Sequence, residues 1–232
     1  MASDITALLL TNDRLPEAWR KFHAEKLLEA IGDSPLIVMS RVPSTLPGLN
    51  IIQDCPPSKS NIFYQMLRGI REVKTKYVAI IEDDCVYYKD HFLLRPKDNE
   101  IAFNQHRWSL YVWNPIYSLK NYIKTNATMI APTKLALELL ERRFAKYPMG
   151  SKMPIEMCGE LGVFEEKLGF PKVRVVELKS EVAVVQLDTD FFTVHDASKE
   201  SIERRHKKTL GKIKATSIPE WGDATNLTKY FN

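Results

Sequence analysis

The sequence predicts an α/β domain: a mixed, mainly parallel sheet with helices on both faces. Three observations carry that prediction. Short apolar runs end at polar turn formers, helical periodicity fills the gaps between them, and the fourth run ends in an acidic triplet, Glu82-Asp83-Asp84.

Ile5 to Leu10 reads as a buried strand because it is a brief apolar run closed by Thr11, Asn12 and Asp13. Pro16 suits the first turn of a helix, and Trp19, Phe22, Leu27, Leu28 and Ile31 recur at helical spacing until Gly32 stops it. Leu36 to Met39 is the second strand. A link containing Pro43, Pro47 and Gly48 leads to a third at Ile51 and Ile52. Ser58 or Ser60 caps a helix through Ile62, Met66, Leu67 and Ile70 to about Val73. Tyr77 to Ile81 is the fourth strand, and it delivers Glu82, Asp83 and Asp84 at its carboxyl end. In such sheets ligands bind beyond the carboxyl ends of the strands, so topology alone puts the triplet on the binding edge.

The second half is less regular. Trp108, Tyr111, Trp113 and Tyr117 form an aromatic cluster, which core packing explains better than an exposed stacking platform for a sugar or a base. Thr133 to Phe144 is an amphipathic helix with Thr133 as its expected cap. Val173 to Glu177 and Glu181 to Gln186 read as further strands. No internal repeat, low-complexity tract or linker is visible, and the division expected is residues 1–198 as the catalytic domain and 199–232 as a basic C-terminal segment.

The 232 residues are 44% hydrophobic and 27% charged, an ordinary globular balance that excludes a fibrous or disordered chain. Apolar runs fall far short of the roughly 20 residues that span a bilayer, and no signal peptide pattern is present, so a cytoplasmic enzyme without membrane contact is expected. Cys55, Cys85 and Cys158 lack metal-ligand spacing and are expected to be reduced thiols. The net charge of +4 concentrates late, around Lys199, Arg204, Arg205, Lys207, Lys208, Lys212 and Lys214. Two readings of that run stand: contact with an anionic partner, or a solvated helix face interleaved with Glu200 and Glu203.

Three adjacent carboxylates after a buried strand repel one another, so a cation or solvent must compensate them. Hard divalent ions, manganese or magnesium, take one or two carboxylates and complete their shell with water and phosphate oxygens. The competing reading is a solvated turn.

The stretch from Ser60-Asn61-Ile62 through Lys76-Tyr77-Val78-Ala79-Ile80-Ile81-Glu82-Asp83-Asp84 resembles the part of GT-A fold glycosyltransferases in which a helix leads into a strand ending in the DxD-type motif, here Glu-Asp-Asp. The resemblance implies a GT-A-like, Rossmann-like domain that moves a sugar from a nucleotide-sugar donor, such as a UDP-sugar, to a hydroxyl acceptor. It implies Glu82 and Asp84 as metal ligands, with His195 of Val194-His195-Asp196 as a further one, and Asp83 on the donor. Thr11, Asn12 and Asp13 would lie near the donor base, and Asn126 to Leu140 would form the acceptor-side strand and helix. Glu160 matches the position of an acidic base, with Glu156 as the alternative. Lys207 and Lys208 would close over the donor phosphates as a lid.

The acceptor is either a glycan or a hydroxymethylated base in DNA, viral DNA included. Two other classes compete. A nucleotidyltransferase shares the sheet and metal logic, but the loop Thr11 to Leu15 has no glycine for a phosphate cradle. A non-enzymatic nucleic-acid-binding protein would explain the basic run and leave the triplet without a purpose.

Overall fold

Every residue of Ile5–Leu10 (β1), Leu36–Ser40 (β2) and Glu100–Asn104 (β6) is buried, as expected of strands covered on both faces. The computed structural model of the protein describes residues 3–56, 58–188 and 212–231. Its main sheet has seven strands in the order β10 (Arg174–Leu178), β6, β9 (Met129–Pro132), β4 (Tyr77–Glu82), β1, β2 and β3 (Leu49–Ile52). β4, β1, β2 and β3 run parallel, as do β6 and β10, and β9 lies antiparallel between β4 and β6. The expected mixed, mainly parallel sheet is therefore present.

Side-chain alternation along β1 divides the core. Leu8 and Leu10 face helices α2 (Lys59–Glu72) and α3 (Thr133–Lys146), packing with Met66, Ile70, Leu139 and Leu140. Ile5, Ala7 and Leu9 face the other way, against Leu27, Ala30 and Ile31 of helix α1 (Glu17–Ile31). Ser58 caps α2, its hydroxyl accepting from the Asn61 amide at 3.0 Å. Thr133 does not cap α3. That helix starts directly out of β9, with Pro132 at the cap position, and the Thr133 hydroxyl instead donates to the Thr75 carbonyl at 2.9 Å.

A second sheet covers part of the α1 side, in the order β12 (Lys214–Ala215), β8 (Tyr117–Leu119), β7 (Arg107–Tyr111), β11 (Val184–Asp188) and β5 (Cys85–Val86). The strand expected to begin at Glu181 begins at Val184. Before it the chain is held in a turn, with the Ser180 hydroxyl donating to the Val182 carbonyl at 2.6 Å and the Val182 amide donating to Asp90 at 2.7 Å. Of the aromatic cluster, Tyr111 and Tyr117 are fully buried, whereas Trp108 and Trp113 are half-buried, so the core reading holds for the tyrosines.

Residues 212–231 pack onto this second sheet and α1. The short hairpin β13 (Ser217–Ile218) and β14 (Gly222–Asp223) leads to helix α4 (Thr225–Thr228), and Tyr230 stacks on Phe22 with 4.3 Å between ring centroids. No helix among the described residues is long and apolar enough to cross a membrane.

Candidate active site

The parallel pairing of Leu10 with Glu82 ends β1 and β4 at the same edge, so Thr11 emerges beside Asp83. The Thr11 hydroxyl donates to an Asp83 carboxylate oxygen and accepts from the Asp13 amide at 2.9 Å. Asn12 folds back on itself, its Oδ1 accepting from the Arg14 amide at 3.1 Å. Asp13 sits in the left-handed region, φ 58°, and its carboxylate takes the Arg41 amide at 2.6 Å and the Val42 amide at 3.3 Å. The loop after β1 is thus closed by its own side chains, and it anchors the loop after β2.

Leu10, Thr11, Asn12, Glu82, Asp83 and Asp84 form one wall of a cleft of about 310 Å³. A chain of amides also lines it. Gln53 Nε2 donates to the Thr11 carbonyl at 2.6 Å, Asn61 Nδ2 donates to Gln53 Oε1 at 3.3 Å, and Gln65 Nε2 donates to Asn61 Oδ1 at 2.7 Å. Arg14 and Arg41 complete the lining. A second cleft of about 470 Å³ lies on the α1 side of the same ridge, shares Thr11 and Asp83, and takes Asp13.

The backbone of the triplet is held at three points. Tyr87 Oη accepts from the Glu82 amide at 3.1 Å and donates to the Ala127 carbonyl at 2.8 Å. Trp19 Nε1 donates to the Asp83 carbonyl at 2.7 Å, and the Leu187 amide donates to the Asp84 carbonyl at 2.8 Å. Asp84 is also held through its carboxylate: Oδ1 accepts from the Cys85 thiol at 3.2 Å and Oδ2 from Gln186 Nε2 at 3.1 Å.

Burial, then the neighbouring Asp84 and Asp83 charges, push the Glu82 carboxyl up to about 8. Burial likewise pushes Asp83 up to about 7 against the opposing Thr11 hydrogen bond, and Asp84 rises from burial against the Gln186 hydrogen bond. From sequence, a bound cation or solvent is expected to supply the compensating charge. Part of it is inside: Arg107, only 4% exposed, lies close enough to hold down both Glu82 and Asp84.

The donor set suits a hard cation. Glu82 and Asp84 both line one cleft, although among the described residues no group of three or more His, Cys, Asp or Glu side chains is placed to hold a metal ion by itself. A cation held there would take one or two carboxylates and fill its shell from ligand and water, as magnesium and manganese do.

Glu160 lies outside the cleft wall but near enough that its charge adds to the rise at Glu82. Its backbone is pinned from α3, with Arg143 Nη1 donating to the Gly159 carbonyl at 2.8 Å and Nη2 to the Glu160 carbonyl at 3.2 Å. Glu156 sits in a 3-10 helix, Ile155–Cys158, and is not part of the cleft lining. His195, Lys207 and Lys208 lie outside the described residues. Arg14, Arg41, Gln53 and Asn61 were not singled out from sequence. The rule that pointed to the end of β4 applies equally to the ends of β2 and β3, which Arg41 and Gln53 directly follow. Arg107 and Gln186 had no local signal, because long-range pairing of β7 with β11 brings them to the triplet.

No protein-family model matches the chain, and no curated protein matches it. Among solved structures it is similar to the bifunctional IspDF from Campylobacter jejuni, at 9% identity over 76% of this chain and 50% of that one, with a TM-score of 0.39. The chain spans half the length of that protein. It is also similar to a glycosyltransferase involved in the glycosylation of the major capsid of PBCV-1, at 8% identity over 78% of this chain and 93% of that one, TM-score 0.45. A third is the mannosyltransferase PcManGT from Pyrobaculum calidifontis, in complex with GDP-Man and Mn2+, at 13% identity over 80% and 56%, TM-score 0.44.

Proposed function

We propose that the protein is a metal-dependent glycosyltransferase of GT-A type, moving a sugar from a nucleotide-sugar donor to a hydroxyl acceptor. One observation carries this reading: the Glu82-Asp83-Asp84 turn, with Glu82 half-buried and both aspartates buried, shares a cleft with Thr11, Arg14, Arg41 and a set of amide side chains, at the carboxyl edge of a mainly parallel sheet. The amides suit the polar edges of a nucleotide base and its ribose. The arginines suit its phosphates.

Glu82 and Asp84 would hold a manganese or magnesium ion, with His195 as a further ligand. When bound, that ion supplies positive charge against the negative charge that builds on a departing nucleoside diphosphate. Asp83 and Thr11 form the floor beneath the donor, and Asn12 lies beside them. Asp13 acts through the Arg41 loop that it anchors. Glu160 is the general base that takes the acceptor's proton, with Glu156 as the alternative, and Lys207 and Lys208 close over the phosphates. A nucleotidyltransferase fits less well, because the β1 loop is filled by the Thr11–Asp83 and Asp13–Arg41 contacts rather than open as a phosphate cradle.

A screen of nucleotide sugars for manganese-dependent donor hydrolysis tests the reading, with Asp84→Ala as control. Loss of ~10²-fold or more in the variant is expected, the scale at which a single charge-stabilising contact is removed. Hydrolysis that persists undiminished in Asp84→Ala would remove the assignment. Acceptor arms with a glycan and with hydroxymethylated DNA then separate the two acceptor classes.

A further inference from the structure

Of the three carboxylates, Asp84 is the one whose side-chain oxygens are both engaged by the protein. Oδ2 accepts from Gln186 Nε2 at 3.1 Å, and the other end of the same amide, Gln186 Oε1, accepts from Arg107 Nη1. The amide is therefore fixed in sense. Its oxygen faces a guanidinium that can only donate, so its nitrogen must face Asp84. Arg107 is 4% exposed and comes from β7. Gln186 comes from the neighbouring β11, and the parallel register that pairs Val184 with Arg107 sets their spacing. Neither residue lines the cleft. Thr11, by contrast, is the side-chain partner of Asp83, and Tyr87 holds Glu82 through its backbone amide.

We propose that Arg107 and Gln186 are positioning residues: a guanidinium-to-amide-to-carboxylate relay that sets the Asp84 carboxylate for a divalent cation. The inference rests on the metal-dependent reading of the cleft and deepens it. An aspartate tied at Oδ2 presents a fixed oxygen instead of sampling several rotamers, and the ordering is done by the fold before any ligand arrives. The relay also passes Arg107's charge toward the site without letting the guanidinium occupy it. A direct Arg107–Asp84 ion pair would compete with the cation for the same oxygens.

The test is a Mn2+ titration of the full chain with UDP at saturation, free ion being read by electron paramagnetic resonance. Gln186→Met removes the amide at nearly constant volume and is expected to weaken Mn2+ binding by ~10- to 100-fold, the usual cost of losing an outer partner of a metal ligand. The melting midpoint in EDTA reports whether the fold is intact. Gln186→Asn keeps the amide but withdraws it by one methylene, and serves in the same comparison should Gln186→Met not fold. A purely structural role would let the effects of Gln186→Met and Asp84→Asn multiply, whereas the relay predicts a double variant that binds Mn2+ no more weakly than Asp84→Asn alone. Unchanged affinity in both Gln186 variants, or multiplied losses in the double variant, overturns the relay. A wild-type chain that takes up no Mn2+ overturns the metal-dependent reading, and the relay with it.

Discussion

Removing the guanidinium of Arg143 should cost the protein much of its stability, and the loss should be largely recoverable by a second substitution. Arg143 and Glu165 are 0% and 1% exposed and pair at 2.8 Å, with Arg143 Nε donating to Glu165 Oε1 at 2.9 Å. The same guanidinium satisfies the Gly159 and Glu160 carbonyls and lies over the Phe63 ring, 5.6 Å from its centroid. Arg143→Met leaves a buried carboxylate with no counter-charge, a change that costs about 3–5 kcal/mol. For a chain of this size that lowers the melting midpoint by about 10 °C. Replacing both charges, Arg143→Met with Glu165→Leu, removes the orphan and should return most of the loss, because apolar groups of similar volume substitute well for buried ion pairs. Urea denaturation followed by tryptophan fluorescence measures the wild type and both variants. Under the proposed function, sugar transfer should be impaired in both variants, since the Gly159–Glu160 backbone is unpinned in each. A single variant that loses less than ~1 kcal/mol, or a double variant no more stable than the single, would refute this account of the pair.

Three further outcomes follow from individual contacts. Gly69 packs so closely on β1 that an added Cβ would lie 2.5 Å from Leu8 Cδ1, so Gly69→Ala should destabilise by about 1–3 kcal/mol despite better helix propensity, as read by thermal melting. Trp19→Phe keeps most of the ring packing and orphans the Asp83 carbonyl, which should cost about 1–3 kcal/mol in urea and reduce donor hydrolysis; unaltered turnover would show that the contact does not hold the triplet. Burial depresses His91 to about 3, so the folded state keeps it neutral while the unfolded chain protonates it near its ordinary value of 6.5. Stability from this group is complete above pH 6.5 and falls as the pH drops toward 3, by about 2 kcal/mol between pH 8 and pH 5. Glu82 and Asp83 act in the opposite direction, so the measurement is the difference in pH slope between wild type and His91→Gln, and equal slopes would contradict it.

The first half of the fold was legible because β1, β2 and β4 are buried on both faces and read as unbroken apolar runs: Ile5–Leu10 and Tyr77–Glu82 stand within a residue of their expected ends. The second sheet was not legible as a sheet. Its strands are two to five residues long, and its order, with Cys85–Val86 at one edge and Lys214–Ala215 at the other, is decided by pairings across much of the chain. Thr133 was misread as a cap because a threonine ahead of an apolar run looks the same whether its hydroxyl turns to its own helix or, as here, to the carbonyl of Thr75. Within the site, Thr11 and Asn12 were placed by the resemblance alone, and the triplet was readable from the end of its strand. Arg107 and Gln186 were not, because a buried arginine in an aromatic stretch has no pattern that announces its partner.

The position of the triplet explains how three carboxylates survive burial. Glu82 closes β4 of the main sheet, and Cys85 opens β5 of the second, so Asp83 and Asp84 form the turn by which the chain passes from one sheet to the other. The turn's backbone is held by Trp19 of α1, by Tyr87 just past β5 and by Leu187 of β11, which relieves part of its desolvation cost. What remains is the charge of the side chains, against which Arg107 sets one positive charge. If all three carboxylates ionise, two negative charges remain, which is the charge a divalent cation would balance. A chain arranged in this way folds with the site partly compensated and keeps a reason to bind a dication. It follows that residues of the second sheet, though outside the cleft, should alter the site when changed, whereas equally buried residues on the α2 and α3 side, such as Leu139 and Leu140, should alter stability alone.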